Sequence, residues 1–280
     1  MSYKTTLIKS TSKATLPSDL QDVIIQACNK ALNVDNRSIF SIALSGGSLP
    51  SFLSGITEKF SSQKIDPQYE KWHVLLADER AVPDTDDDSN LKSLKAKFFG
   101  ETSIPESQIY VIDESLLSDV EKMAESYEEK AVKHVLSIDA DGKLDLAVLG
   151  FGPDGHTCSL FPGHPLLEEK TKLVTSLTDS PKPPPSRITL TFPVLNEMTR
   201  LVIFCGAGSS KGPILKATFT KLEEKGDATG EATGGKKYDA FLADPAPYPC
   251  GMVRTVTGGD DDTSGVVWVV DSDAATDAGW

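Results

Sequence analysis

Short unbroken apolar runs alternate along the chain with stretches in which apolar residues recur every three or four positions. Leu20, Val23, Ile24, Ala27 and Ala31 keep the helical spacing behind Pro17-Ser18-Asp19, a start signal, and predict a helix. Residues 38–44, Ser-Ile-Phe-Ser-Ile-Ala-Leu, read as a buried strand cut off by Ser45-Gly46-Gly47-Ser48. A second strand is predicted over residues 72–77, ending at an acidic and polar stretch over 78–90. Ser118 and Glu121 form a capping box around Val120, with Ala124, Tyr127, Ala131 and Val135 continuing the helical period, so a long helix precedes the strand at 144–149. Strand-like runs follow at 187–192, 201–205 and 266–270, with a helical segment over 213–222. Strands separated by helices require right-handed crossovers, which predicts the α/β class: a mostly parallel sheet with helices on both faces.

Length alone, 280 residues at roughly 150 per domain, suggests about two domains. No boundary separates chemically different halves, however, and there is no internal repeat. The glycine-rich segment 226–235 reads as a flexible loop extending to about residue 237, and Pro183-Pro184-Pro185 as a stiff connector. One domain over residues 1–280 is the expectation. A hydrophobic content of 39% with 25% charged residues excludes global disorder. No apolar run approaches the roughly 18 residues of a spanning helix, and the Met-Ser-Tyr-Lys-Thr-Thr start lacks the apolar stretch of a signal peptide. A soluble, cytoplasmic protein is therefore expected. Cys28, Cys158, Cys205 and Cys250 include no Cys-x-x-Cys pair, which argues against a zinc ribbon or a disulfide framework. With 28 Lys+Arg against 41 Asp+Glu, the net charge of -13 disfavours nucleic acid and anionic membrane as partners.

Several motifs look like chemistry and fail on inspection. Gly150-x-Gly152-x-x-Gly155 spells a dinucleotide fingerprint after a strand, but Pro162-Gly163 interrupts the helix that such a motif must open. Gly208-Ser209-Ser210-Lys211-Gly212 matches a nucleophile elbow, yet no histidine follows Ser210 to complete a triad. Residues 230–237 resemble a P-loop with Lys237 where a hydroxyl must reach magnesium. The cluster Asp84, Asp86, Asp87 and Asp88 lacks the glycine and glutamate of a calcium loop, having Ser89 and Lys95 there.

What survives is a set of polar loops, each following a strand: residues 45–48, 78–80, 152–156 and 206–211. The carboxyl ends of parallel strands share one edge, where ligands bind. Glycines there allow close backbone approach, and Arg and Lys supply countercharge, so the pattern predicts a phosphorylated small molecule. His156, flanked by glycine at a strand end, is the candidate base, because an imidazole with a pKa of about 6.5 is largely neutral at pH 7. His73 and His134 read as structural, and His164 as a surface residue.

Leu44-Ser-Gly-Gly-Ser-Leu-Pro50, Trp72 to Arg80 with Val82-Pro83 and Ser89-Asn90, and Gly150-Phe-Gly-Pro-Asp-Gly-His-Thr-Cys-Ser-Leu-Phe-Pro162 closely resemble the 6-phosphogluconolactonases. The resemblance continues through residues 187–196, Gly206-Ala-Gly208 with Lys211, and 268–275. It implies a modified Rossmann-type α/β domain and a carboxylic ester hydrolase of the oxidative pentose phosphate pathway, converting 6-phospho-D-glucono-1,5-lactone to 6-phosphogluconate. His156 would be the general base, Asp154 its orienting partner, and Arg80 a substrate or oxyanion contact. Ser45, Gly46, Gly47 and Ser48 would form part of a phosphate cradle, Arg187 and Lys211 would hold the sugar phosphate, and Asp78 would contact sugar hydroxyls. No cofactor or metal is expected, since water is the nucleophile and an ester is already electrophilic. Beyond the sugar lactone, neither nucleic acid nor membrane is expected as a partner, and the assembly state is monomer or weak homo-oligomer. Cys158 is not expected to act as a nucleophile. The alternatives are a glucosamine-6-phosphate deaminase, which carries an acidic residue where this chain has Phe161, and a catalytically silent lactonase-like binding or regulatory protein.

Overall fold

A strand with apolar side chains on both faces must be covered on both, and the runs of that kind lie together in one large sheet. The computed structural model describes residues 3–225, 234–255 and 265–280. Their strands are β1 (Lys4–Lys9), β2 (Phe40–Leu44), β3 (Trp72–Leu76), β4 (Asp78–Arg80), β5 (Leu144–Gly150), β6 (Val174–Leu177), β7 (Arg187–Leu190), β8 (Thr199–Gly206), β9 (Phe219–Glu224), β10 (Lys236–Leu242) and β11 (Val266–Val270). The large sheet has the order β3-β2-β5-β8-β11-β1-β10-β9. It is parallel from β3 to β1 and antiparallel where β10 joins β1 and β9. This is the mostly parallel α/β fold that the alternation of elements predicts.

The registers pair Leu44 with Leu76, Gly150 with Cys205, and Gly206 with Val270. The carboxyl ends of β2, β3, β5, β8 and β11 therefore reach one edge together, and every polar loop singled out in the sequence begins there. The helix Leu16–Asn29 buries Leu16, Leu20, Ile24, Ile25 and Cys28, with Pro17 in its first turn, where the missing N–H breaks no helical bond. One contiguous core joins it to Trp72, which packs edge-on against Phe40 at 4.7 Å, and to Trp268, stacked on Phe204 at 4.3 Å.

Four expectations are corrected. The run at 187–192 is not a strand of the large sheet: β7 is the middle of a separate antiparallel sheet, β4-β7-β6. Its partner β4 lies in the stretch read as polar loop. The chain crosses between sheets at Ala77, whose N–H donates to Leu44 O at 2.8 Å and whose carbonyl accepts from Leu190 N–H at 2.9 Å. The helix predicted over 213–222 is Gly212–Thr218, after which Phe219 begins an edge strand, because pairing with β10 overrides the helical propensity of Lys221 and Leu222. The helix Val120–Tyr127 is capped by Asp119, whose carboxylate accepts from Lys122 N–H at 3.2 Å, rather than by Ser118. The glycine-rich loop at 226–235 lies outside the described residues except for Gly234 and Gly235, and Lys236 and Lys237 already belong to β10.

Candidate active site

The loops after β2, β5 and β8, together with β4 and β7, enclose an open cleft of about 230 Å3. Ser45, Gly46, Gly47, Ser48, Asp78, Arg80, His156, Arg187 and Lys211 all line it, and Asp154 adjoins it through His156. The ten residues assigned from the sequence thus come together, although they span more than half the chain.

The loop after β2 stays close to its neighbours. A Cβ on Gly46 would lie 1.7 Å from the Asn90 amide oxygen, so only glycine lets the backbone pass. Asn90 in turn donates to the Asp78 carbonyl at 2.8 Å, and Asp78 Oδ2 accepts from the Ser159 hydroxyl at 2.8 Å. Beside it, Glu79 accepts from the N–H groups of Arg80, Asn90 and Leu91, which fixes the start of the helix Asn90–Lys97 against β4.

After β5, the chain turns so that His156 and Asp154 face each other. His156 Nδ1 lies 2.5 Å from Asp154 Oδ1 and 3.2 Å from Lys182 Nζ, while Lys182 Nζ lies 3.1 Å from Asp154 Oδ2. An ammonium has only donors, so Nδ1 cannot accept from Lys182 and donate to Asp154 at once. The shorter contact decides it: Nδ1–H donates to Asp154, and Lys182 donates to the other carboxylate oxygen. That tautomer leaves Nε2 with its lone pair, and among the described residues Nε2 has no hydrogen-bond partner. Burial pushes the imidazole below its usual 6.5, against the opposing pull of Asp154. Burial alone would raise the Asp154 carboxyl, but hydrogen bonds and charge from His156 and Lys182 outweigh it and hold the group at about 2.

The imidazole packs on Phe161 with ring centroids 4.8 Å apart, and the Arg187 guanidinium lies 5.7 Å from the centroid of the same ring. Arg187 is buried. Its Nε donates to Pro184 O at 2.9 Å and its Nη2 to the carbonyls of Lys182 and Pro183, each at 3.0 Å. It is also the direct cross-strand partner of Arg80 between β4 and β7. Burial first, and then the Arg80 charge, press its pKa downward. Arg80 Nη1 donates to Asp88 O at 2.6 Å, whereas its Nε is buried without a hydrogen-bond partner among the described residues. Lys211, on the turn Ser209–Lys211, donates to the Phe151 carbonyl, and burial and then Lys182 lower its pKa. Four cationic side chains thus converge on a cleft with two carboxylates, inside a strongly acidic protein.

Sequence reasoning missed Lys182 and Glu79. Lys182 lies in the proline-rich connector, where a signal was available: a lysine held between prolines a few residues before a cationic strand start. Glu79 is flanked by two residues that were chosen, and nothing in its local pattern marks it as a helix anchor. Burial pushes the Cys158 and Cys205 thiols upward, which leaves both poor nucleophiles although they line the cleft. His73 bonds the Tyr110 hydroxyl at 2.8 Å, and His164 meets Asp179 at 3.1 Å, both away from the cleft.

Fold and cleft together define an α/β protein of modified Rossmann type that gathers a carboxylate–histidine pair and cationic groups at the carboxyl edge of its sheet. The sequence profile described as glucosamine-6-phosphate isomerases/6-phosphogluconolactonase matches residues 11–234, and the chain belongs to that family. It is 40% identical over 208 residues to the 6-phosphogluconolactonase of Rattus norvegicus, covering 74% of this chain and 79% of that one. It is 41% identical over 221 residues to the chloroplastic 6-phosphogluconolactonase 3 of Arabidopsis thaliana, covering 75% and 65% of the two chains. The crystal structure of the Thermotoga maritima 6-phosphogluconolactonase superposes with a TM-score of 0.67 at 27% identity, covering 95% of this chain and 98% of that one. These relatives stand on the lactonase side of the family, the side on which the sequence places this chain. A chloroplastic relative leaves the cytoplasmic expectation without support. Among the described residues no helix is long and apolar enough to cross a membrane.

Proposed function

We propose that the protein hydrolyses 6-phospho-D-glucono-1,5-lactone to 6-phosphogluconate, with His156 as general base. The observation that carries the reading is the Asp154–His156 pair, with Nε2 unpartnered, in a cleft shared with Arg80, Arg187 and Lys211. A water beside Nε2 loses its proton to the imidazole as its oxygen attacks the lactone carbonyl. Arg80 offers charge to the oxygen that becomes negative. When the ring C–O bond breaks, the imidazolium returns the proton to the leaving ring oxygen, which becomes a hydroxyl, and the new acid ionises in water. Asp154 keeps the imidazole in the required tautomer and stabilises its charged form. Arg187, Lys211 and the backbone of residues 45–48 hold the phosphate, and Asp78 accepts from a sugar hydroxyl. Phe161 supports the lactonase over the deaminase reading, because a ring and not a second carboxylate packs against His156. The reading treats residues 1–280 as one catalytic unit, since the site draws on both sheets.

The test is the loss of freshly generated lactone, with and without purified protein, followed across about pH 5 to 8. Consumption should exceed the spontaneous rate, and the acid limb of kcat/KM should fall below the ordinary histidine value of 6.5, as burial of His156 requires. Asp154, held at about 2, contributes no limb in that window. Rates equal to the spontaneous ones would leave a phosphosugar-binding protein without turnover.

Lys211→Ala should raise KM for the phosphorylated lactone about tenfold or more, a charge-assisted contact being roughly twice as strong as a neutral one. Its effect on kcat should be small. An unchanged KM in steady-state assays would remove Lys211 from the phosphate contacts.

A further inference from the structure

Lys182 reaches the catalytic pair from outside the loop that carries it. Its backbone is fixed on all sides: the carbonyl accepts from Arg187 Nη2 at 3.0 Å and from the Ser180 hydroxyl at 2.8 Å, and the N–H donates to Ser180 Oγ at 3.2 Å. Arg187 also holds the carbonyls of Pro183 and Pro184. The connector is therefore braced by a buried guanidinium, and Lys182 extends from it to Asp154 Oδ2 at 3.1 Å. We propose that Lys182 is a positioning residue, which by gripping Asp154 Oδ2 keeps Oδ1 on the Nδ1–H of His156 and leaves Nε2 to the substrate.

Without that grip the carboxylate, which is over a third exposed, can rotate toward solvent and release the imidazole to its other tautomer. Lys182 also stands as a cation against the ring. The charged groups facing His156 are Asp154 on its own loop, Lys182 on the connector and Asp78 on β4, while Phe161 covers a ring face and Lys211 feels the charge of Lys182. Of these only Lys182 opposes protonation of His156 from direct contact. Removing it ends that repulsion but also releases Asp154, whose hydrogen bond and charge raise the imidazole more than Lys182 lowers it, so the imidazole should become harder to protonate.

The inference rests on the general-base reading, and the experiment separates the two. Lys182→Met, Lys182→Gln, Lys182→Arg and His156→Gln are compared with wild type by kcat and KM against pH, with calorimetric Tm as the control for folding. The substrate phosphate, with a second pKa of about 6, titrates identically in every variant, so differences between profiles belong to the protein. Lys182→Met and Lys182→Gln should lower kcat about tenfold to a hundredfold, as expected of a misplaced base. Their acid limb should move downward by about half a pH unit or more, with KM little changed. Lys182→Arg should recover most of both. A raised KM with an unshifted limb would make Lys182 a substrate contact and overturn the inference, as would a wild-type profile in both neutral variants. An active His156→Gln would instead overturn the general-base reading itself.

Discussion

Replacing His156 with glutamine should leave a folded protein that binds the phosphorylated lactone and turns it over about 10^2 to 10^4 times more slowly. Glutamine keeps a polar group of similar reach and an N–H that can donate to Asp154, and it preserves contact with Phe161. What it cannot do is accept a proton in the working pH range. The loss should therefore fall on kcat, with KM, Tm and circular dichroism near wild type. The residual rate above the spontaneous one reports what Arg80, Arg187, Lys211 and the loop backbone contribute by positioning and charge alone. Activity within about threefold of wild type would mean that water is activated elsewhere in the cleft.

Gly152→Ala should cost nearly as much without replacing a reacting group. A Cβ there would lie 2.1 Å from His156 Nδ1, 2.2 Å from Cε1 and 2.3 Å from Asp154 Oδ1, inside the hydrogen bond that fixes the pair. The backbone of Gly152 is not in the left-handed region, so alanine suits its conformation and the conflict is one of space alone. The pair must separate or swing aside, and displacement of a base by about 1 Å is worth roughly 10^2 in rate. Gly100→Ala, whose Cβ meets only the Lys95 carbonyl at 3.4 Å, is the matching control and should keep wild-type kinetics. If Gly152→Ala retains full kcat, the observed Asp154–His156 geometry is not the working one.

The parts of the fold legible in the sequence are those whose signal is local. Unbroken apolar runs marked β2, β3, β5, β8 and β11, because strands covered on both faces leave no polar side. Glycine-rich polar loops after those runs marked the cleft, because the parallel register brings their carboxyl ends together. The small sheet was not legible. β4 is Asp-Glu-Arg, three polar residues whose strand character comes only from pairing with β7 more than a hundred positions away. β7 itself has the apolar content of a central strand, and nothing local says which sheet it joins. Lys182 escaped for the same reason: a connector lysine gains its role from Asp154 and His156, to which no periodicity links it. The tautomer of His156 was equally out of reach, since it depends on two distances that only the folded chain defines.

The facing arginines of β4 and β7 carry a consequence for how this protein could be adapted to heat. Like charges directly opposite one another across a strand pair weaken the sheet that holds them, and here Arg80 opposes Arg187 on a three-stranded sheet. Selection for thermal tolerance alone would replace Arg80 with a neutral residue, since Arg187 holds three carbonyls of the connector. The proposed reaction draws on both. The rung is therefore a point where stability and activity pull in opposite directions. Lineages that raise their melting temperature while keeping the reaction must find the gain elsewhere, in the large sheet or its helices.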